Sequence, residues 1–170
     1  EQALNNKKVL FIDTGNNFST ERLQQLLNNE NNKIIKNILV LNIKNFNYQH
    51  SKIKKLEGIE NVSLIIVDSI THFYRRLYSK KPQLARAMLG KQLSILNKIS
   101  KKNVPIMITS QVYSDMKNNT VSLAKDILNR FSKNIIKLEN NPRKIIMEKP
   151  SKKQTKFEIL NKGIKITSQS

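Results

Sequence analysis

Short apolar runs alternate with helically spaced stretches along most of this chain, and closely set short runs fill its end. Alternation of this kind predicts βαβ units and a largely parallel sheet. Val9-Leu10-Phe11-Ile12 is a continuous run, as expected of a strand buried on both faces. Ser19 or Thr20 is placed to cap a following helix, in which Leu23, Leu26 and Leu27 recur at helical spacing. Residues 38–43 predict the next strand, and 51–57 a basic helix stopping at Gly58. The run 62–68 (VSLIIVD) carries the strongest strand signal. Over 84–101, Leu89, Leu93, Leu96 and Ile99 mark one face of a long helix. Asn103-Val104-Pro105 ends that helix and leads into a strand over 106–109, followed by a polar loop over 114–120 and a helix over 123–132. Short strands then follow at 135–138, 144–147, 156–160 and 164–167. Turn residues at Asn140-Asn141-Pro142 and Gly163 predict that they pair as antiparallel hairpins.

Composition narrows the class. A chain of 170 residues suits one domain. Its 38% apolar content, concentrated in the runs above, separates it from disordered chains. Thirty-one Lys and Arg face 12 Asp and Glu, a formal charge of +19 and a pI near 10.2. Such a field attracts polyanions, of which nucleic acid is the usual one. A coding bias toward Lys, Asn and Ile would produce the same count without a ligand. The absence of cysteine excludes disulfides and Cys-based metal sites. No run approaches the roughly 18 apolar residues of a membrane span, and no signal peptide opens the chain, so a cytoplasmic location is expected. Glu1-Gln2-Ala3-Leu4 reads as the end of a helix cut from something longer.

Candidate chemistry collects at strand ends. In open α/β sheets, ligands bind beyond the carboxyl ends of the parallel strands. Here those ends are Asp13-Thr14, Asp68-Ser69 and Thr109-Ser110-Gln111. Asp68 after its apolar strand fits the Walker B pattern, in which a carboxylate at the strand tip holds Mg²⁺ through water. An Asp that caps the next helix gives the same local pattern. The partner motif is a phosphate loop, Gly-x-x-x-x-Gly-Lys-Ser/Thr, whose glycines let backbone amides approach phosphates that the lysine then reaches. Of Gly15, Gly58, Gly90 and Gly163, only Gly90 precedes a lysine, and Ala85 and Gln92 fail the rest of the pattern. His50 and His72 are isolated, with no second ligand at metal spacing.

Four stretches together resemble the RecA-type recombinases, most closely their archaeal RadB branch. Residues 12–23 (IDTGNNFSTERL) resemble the family's IDTEG-x-F-x-x-ERL segment, and 64–78 (LIIVDSITHFYRRLY) its Walker B strand and following helix. Residues 106–115 (IMITSQVYSD) resemble the TNQVYSD switch segment, with Ser110 where Asn is usual. SKNIIKLE at 132–139, Met147-Glu148-Lys149 and 157–164 are similar to the branch's C-terminal strands. The resemblance implies an α/β fold of the RecA-like P-loop NTPase core, with C-terminal antiparallel strands. Residues 1–170 would form one domain, with the N-terminal strand, the phosphate loop and most of the first helix missing.

The same resemblance implies ATP and Mg²⁺ as cofactors, faced by Asp68, Ser69, Gln111, Arg22 and Asp13, with Asp68 on the metal side. It places Gly15 where relatives carry the glutamate that polarises the attacking water, so no catalytic carboxylate is expected. Binding of ATP is in doubt without the loop, and hydrolysis is expected to be very weak or absent. DNA contacts are expected from Arg75, Arg76, Lys80, Lys81 and Arg86 at a first loop, and from Tyr113 and Lys117 at a second. The Gly-Gly of that second loop is replaced at about Ala124-Lys125. Lys149, Lys152, Lys153 and Lys156 form a further cluster. The implied role is accessory: DNA repair and homologous recombination without strand exchange, modulating a RadA-type recombinase and the cleavage of branched DNA by a Holliday junction resolvase. No membrane is implied. A non-catalytic protein-binding scaffold and a KaiC-type regulatory ATPase are the alternatives. Tyr113-Ser114-Asp115 speaks against the second.

Overall fold

The computed structural model describes residues 2–3, 5–27, 32–114 and 120–169. Four strands, β1 (Lys8–Asp13), β2 (Ile38–Asn42), β3 (Val62–Asp68) and β4 (Ile106–Ile108), form a parallel sheet in the order β2-β1-β3-β4. Parallel neighbours need crossovers. These are supplied by α1 (Thr20–Leu26) and α2 (Asn32–Ile35), by α3 (Phe46–Lys54) with a 3₁₀ turn at Lys55–Gly58, and by α4 (Tyr74–Tyr78) and α5 (Pro82–Ser100). Ser19 caps α1 by accepting from the Arg22 amide, and Asn45 caps α3 from the Tyr48 amide. The cap at Asn45 starts α3 well ahead of the predicted 51–57. Its buried positions are Phe46, Gln49 and Ile53, so one position on the inward stripe is polar and the apolar period is broken in sequence.

The core lies mainly on one face of the sheet. Ile12, Ile65 and Val67 pack there against Ile53 of α3, Tyr74 of α4 and the Leu89, Leu93, Leu96 and Ile99 stripe of α5. The other face is covered lightly, by Ala3, Val9 and Ile34.

A short hairpin of β5 (Val112–Ser114) and β6 (Thr120–Ser122) leads into α6 (Lys125–Phe131). It flanks the predicted polar loop, of which 115–119 lie outside the described residues. The chain ends in an antiparallel meander of β7 (Ile135–Asn140), β8 (Arg143–Lys149), β9 (Lys153–Leu160) and β10 (Gly163–Gln169). Its register puts Ile136 beside Met147, Leu138 beside Ile145, and Ile164 and Ile166 beside Ile159 and Phe157. One face is therefore apolar, yet Ile136, Leu138, Ile159, Ile164 and Ile166 are all exposed. The Lys149 ammonium ties the meander to α6 by donating to the carbonyls of Asn129 and Ser132, a favourable place for a cation at a helix C-terminus.

Candidate functional site

Register brings the polar strand ends level. Asp13 pairs with Asn42 on one side and Asp68 on the other, and the Thr109 amide donates to Val67. Hydroxyls knit these ends together. Thr14 Oγ1 accepts from the Ser69 amide at 2.8 Å, and Thr109 Oγ1 donates to Asp68 Oδ1 at 2.5 Å. The fully buried Thr71 accepts from the Gln111 amide at 3.0 Å and lies 3.3 Å from Ser110 Oγ. Ser110 Oγ is in turn 3.2 Å from Ser122 Oγ on β6. One set of polar contacts thus surrounds the Asp68 tip. A second, from Thr71 through Ser110 to Ser122, adjoins it where Thr109 meets Ser110 in the chain and reaches the hairpin.

Around that tip is a polar cavity of about 230 Å³, lined by Gly15, Asn17, Asp68, Ser69, His72, Thr109, Ser110 and Gln111. Gly15, Asp68, Ser69 and Gln111, singled out from sequence, therefore meet in one place. Asp13 and Arg22 do not line it. Asp13 is buried, and its carboxylate accepts from the amides of Gly15, Asn17 and Phe18 at 3.1, 3.1 and 2.9 Å. Arg22 is on the exposed surface of α1, hydrogen-bonded to Gln25. His72, read from sequence as isolated, lines the cavity. The only available signal was its spacing, four residues after Asp68.

Gly15 leaves room that a neighbour fills: a Cβ added there would lie 2.5 Å from the Asn17 side-chain nitrogen. An amide thus occupies the space a side chain at 15 would enter. The donor set fits one half of a Mg-nucleotide. Asp68 offers a carboxylate, and the buried Ser69 hydroxyl has no hydrogen-bond partner, which suits a Mg²⁺ held through one carboxylate, water and phosphate. Among the described residues, no Lys or Arg lines the cavity. Among the described residues, no group of three His, Cys, Asp or Glu stands ready for a metal.

The residues expected to meet DNA form a second group. Arg75 and Arg76 are exposed on α4, and Lys80 and Lys81 are exposed in the turn after it. Arg86 and Tyr113 line a separate cavity, and Lys117 is outside the described residues. Arg86 is ion-paired with Asp126, whose carboxyl its hydrogen bond holds below the usual range. Ala124, just before α6, has φ +57°, the left-handed region that costs an L side chain about 1–2 kcal/mol. A glycine would adopt this conformation at no steric cost. Ala124→Gly is expected to raise stability by about 0.5–1 kcal/mol in urea unfolding, after the greater unfolded-state freedom of glycine is subtracted.

A parallel sheet with its polar strand tips level, Asp68 at the end of β3 and Gln111 just beyond β4 fit a RecA-like core. Comparison with known proteins agrees. The Rad51 family model matches residues 1–164. The DNA repair and recombination protein RadB of Methanococcus maripaludis is 37% identical over 177 residues, covering 98% of this chain and 81% of that protein. The protein of the same name from Methanocaldococcus jannaschii is 36% identical, covering 96% and 82%. A crystal structure of the RadB recombinase superposes with a TM-score of 0.78 at 27% identity, covering 98% of this chain and 81% of that one. The chain belongs to the Rad51 family and, within it, to the archaeal RadB DNA repair and recombination proteins.

Proposed function

We propose that this member acts in recombination as an accessory DNA-binding protein rather than as a strand-exchange motor. The observation that carries the reading is the Asp68 cavity. It offers a carboxylate of the kind that can hold a metal, but Gly15 brings no second carboxylate to orient water. Gln111 retains a side chain at the cavity wall, and its backbone joins the polar path to the β5–β6 hairpin. This suits coupling of the site to the hairpin more than turnover. The partners that fit such a role are DNA, a RadA-type recombinase and a Holliday junction resolvase. Among the described residues no helix is long and apolar enough to cross a membrane.

ATP hydrolysis by this chain is expected at background level, with or without DNA. Gly15→Glu in residues 1–170 by themselves is expected to leave it there, because those residues include no Gly-x-x-x-x-Gly-Lys-Ser/Thr loop. A phosphate-release assay checks both. Turnover that Asp68→Ala abolishes would show that the site binds a Mg-nucleotide after all.

A protein-binding scaffold is the second reading, favoured by the exposed apolar face of the meander. Titration of labelled DNA across a salt series separates the two. Absence of binding at low salt leaves only the scaffold.

A further inference from the structure

The C-terminal meander has one partnered face and one bare face. Register and strand alternation put Glu139, Glu148 and Glu158 on one side, together with Lys137, Lys144 and Lys165. Charges on that side are matched. Lys137 pairs with Glu139 at 2.8 Å, Lys125 of α6 lies 3.9 Å from Glu148, and Lys165 is the cross-strand neighbour of Glu158. The opposite side holds Ile136, Leu138, Ile159, Ile164 and Ile166, each more than half exposed. Ile145 and Met147 of β8 run between them. Among the described residues, none of these side chains joins either hydrophobic cluster of the parallel layer. Scattered apolar side chains are ordinary on a surface, but a contiguous row with a polar rim marks a contact surface.

The strands bring cations to the bare face and no carboxylate. Arg143 stands at one end, beside Asn140, and Lys153 at the other, beside Met147. Both are exposed, and neither has a carboxylate within ion-pair distance among the described residues. From Arg143 to Met147, the neighbour of Lys153, the strand rises about 13 Å, and the four strands together span about 14 Å. A helix with its side chains is about 10–12 Å wide, and about 9 of its residues cover 13 Å. The face therefore has room for one short helix, with a cation at each end of it. A second copy of this chain fits poorly. Two such faces laid together would set Arg143 and Lys153 against the same cations, on chains that each carry +19.

We propose that the bare face of the meander docks an amphipathic helix of a partner protein. Its apolar stripe would lie on the isoleucine and leucine row, and a carboxylate at each end would meet Arg143 and Lys153. This names the partner chemistry that the scaffold reading leaves open, and it stands whether or not the chain binds DNA. Affinity comes from the apolar row, because an exposed ion pair adds little in water. The two cations decide which helix is accepted, since like charges at those ends repel a basic one.

The test titrates the whole chain into a fluorescein-labelled synthetic helix of about 15 residues, near the shortest that holds its shape in water, read by anisotropy. The helix carries leucines on one stripe and a glutamate flanking each end of it. One control has lysine for glutamate, and another has the same composition with the stripe scrambled. The glutamate-flanked helix is expected to bind, and both controls to bind at least about tenfold more weakly. Leu138→Thr/Ile164→Thr, at exposed strand positions, should weaken binding roughly 10- to 100-fold. Arg143→Glu/Lys153→Glu should bring the lysine-flanked helix level with the other or above it. Lys101→Glu/Lys102→Glu, the same change of charge at the end of α5, should leave the preference in place. Circular dichroism confirms that each variant is folded. Equal effects of the two charge reversals would reduce the preference to bulk charge and overturn the docking site. Parent-like binding by the Leu138→Thr/Ile164→Thr variant, or no binding of the glutamate-flanked helix, would overturn it as well. Sedimentation of the chain alone and with phosphatidylserine vesicles covers the other occupants. Self-association or vesicle binding that Leu138→Thr/Ile164→Thr removes would give the face to a second copy or a lipid surface, and the helix would be wrong.

Discussion

Replacing Asp13 by alanine is expected to destabilise the parallel layer by about 2–4 kcal/mol. The carboxylate belongs to a residue 2% exposed and accepts from three loop amides, those of Gly15, Asn17 and Phe18. Hydrogen bonds to a charged acceptor are each worth about 1.5–3 kcal/mol, and a buried donor left unmade costs about 1–3 kcal/mol. The full sum is not expected, because Gly15 and Phe18 are partly exposed and Asn17 is exposed, so water can reach the freed amides. The loop is held from its other end as well, with the Phe18 ring packed on Phe11 at 5.0 Å. Asp13→Asn keeps one acceptor oxygen and should cost about half as much. Equilibrium urea unfolding followed by circular dichroism measures both. A loss below about 1 kcal/mol for the alanine variant would mean that the loop finds other acceptors and that Asp13 does not build the turn carrying Gly15.

The second large effect is on DNA affinity. Simultaneous Arg75→Ala, Arg76→Ala, Lys80→Ala and Lys81→Ala should reduce the salt slope for single strands by about 3, since each phosphate contact contributes about 0.7. The same counterion term lowers affinity at 50 mM salt by roughly three orders of magnitude. Overall charge is a competing explanation, because a chain of +19 attracts any polyanion. A charge-matched control, with Lys54, Lys55, Lys101 and Lys102 changed to alanine, decides between them. These lysines are equally exposed but flank α3 and the end of α5. Equal losses in the two quadruple variants would reduce the DNA contact to bulk charge.

Much of the fold was legible because a parallel sheet writes itself as continuous apolar runs. Val9 to Ile12 and the run ending at Asp68 fall inside β1 and β3, and the Leu89, Leu93, Leu96 and Ile99 stripe is the buried face of α5. The meander was legible from its turn residues. What escaped was held together by polar atoms. The start of α3 was hidden because Gln49 sits on its buried stripe, donating to the Ile70 carbonyl and to Gln92. The β5–β6 hairpin has three-residue strands with too few apolar positions to show a period.

The site was legible as a set of strand tips, and Asp68, Ser69, Gln111 and Gly15 do meet. The hydroxyl path through Thr71, Ser110 and Ser122 joins residues far apart in the chain, which no local pattern records. Nor could sequence separate the two aspartates at neighbouring strand ends. Asp13 is held by its own loop while Asp68 lines the cavity, a difference that depends on which way three amides point.

The meander of β7 to β10 has a kinetic consequence. Each of its strands pairs with the next in sequence, so its contacts close short loops. The parallel layer must instead bring β1 beside β3, and β3 beside β4, across long crossovers. Loop closure makes the first kind of pairing fast and the second slow. The hairpins of this meander should therefore pair while the parallel layer is still searching for its register. During that interval the row Ile136, Leu138, Ile159, Ile164 and Ile166 is the first extended apolar surface the chain presents, and the first that self-association would find.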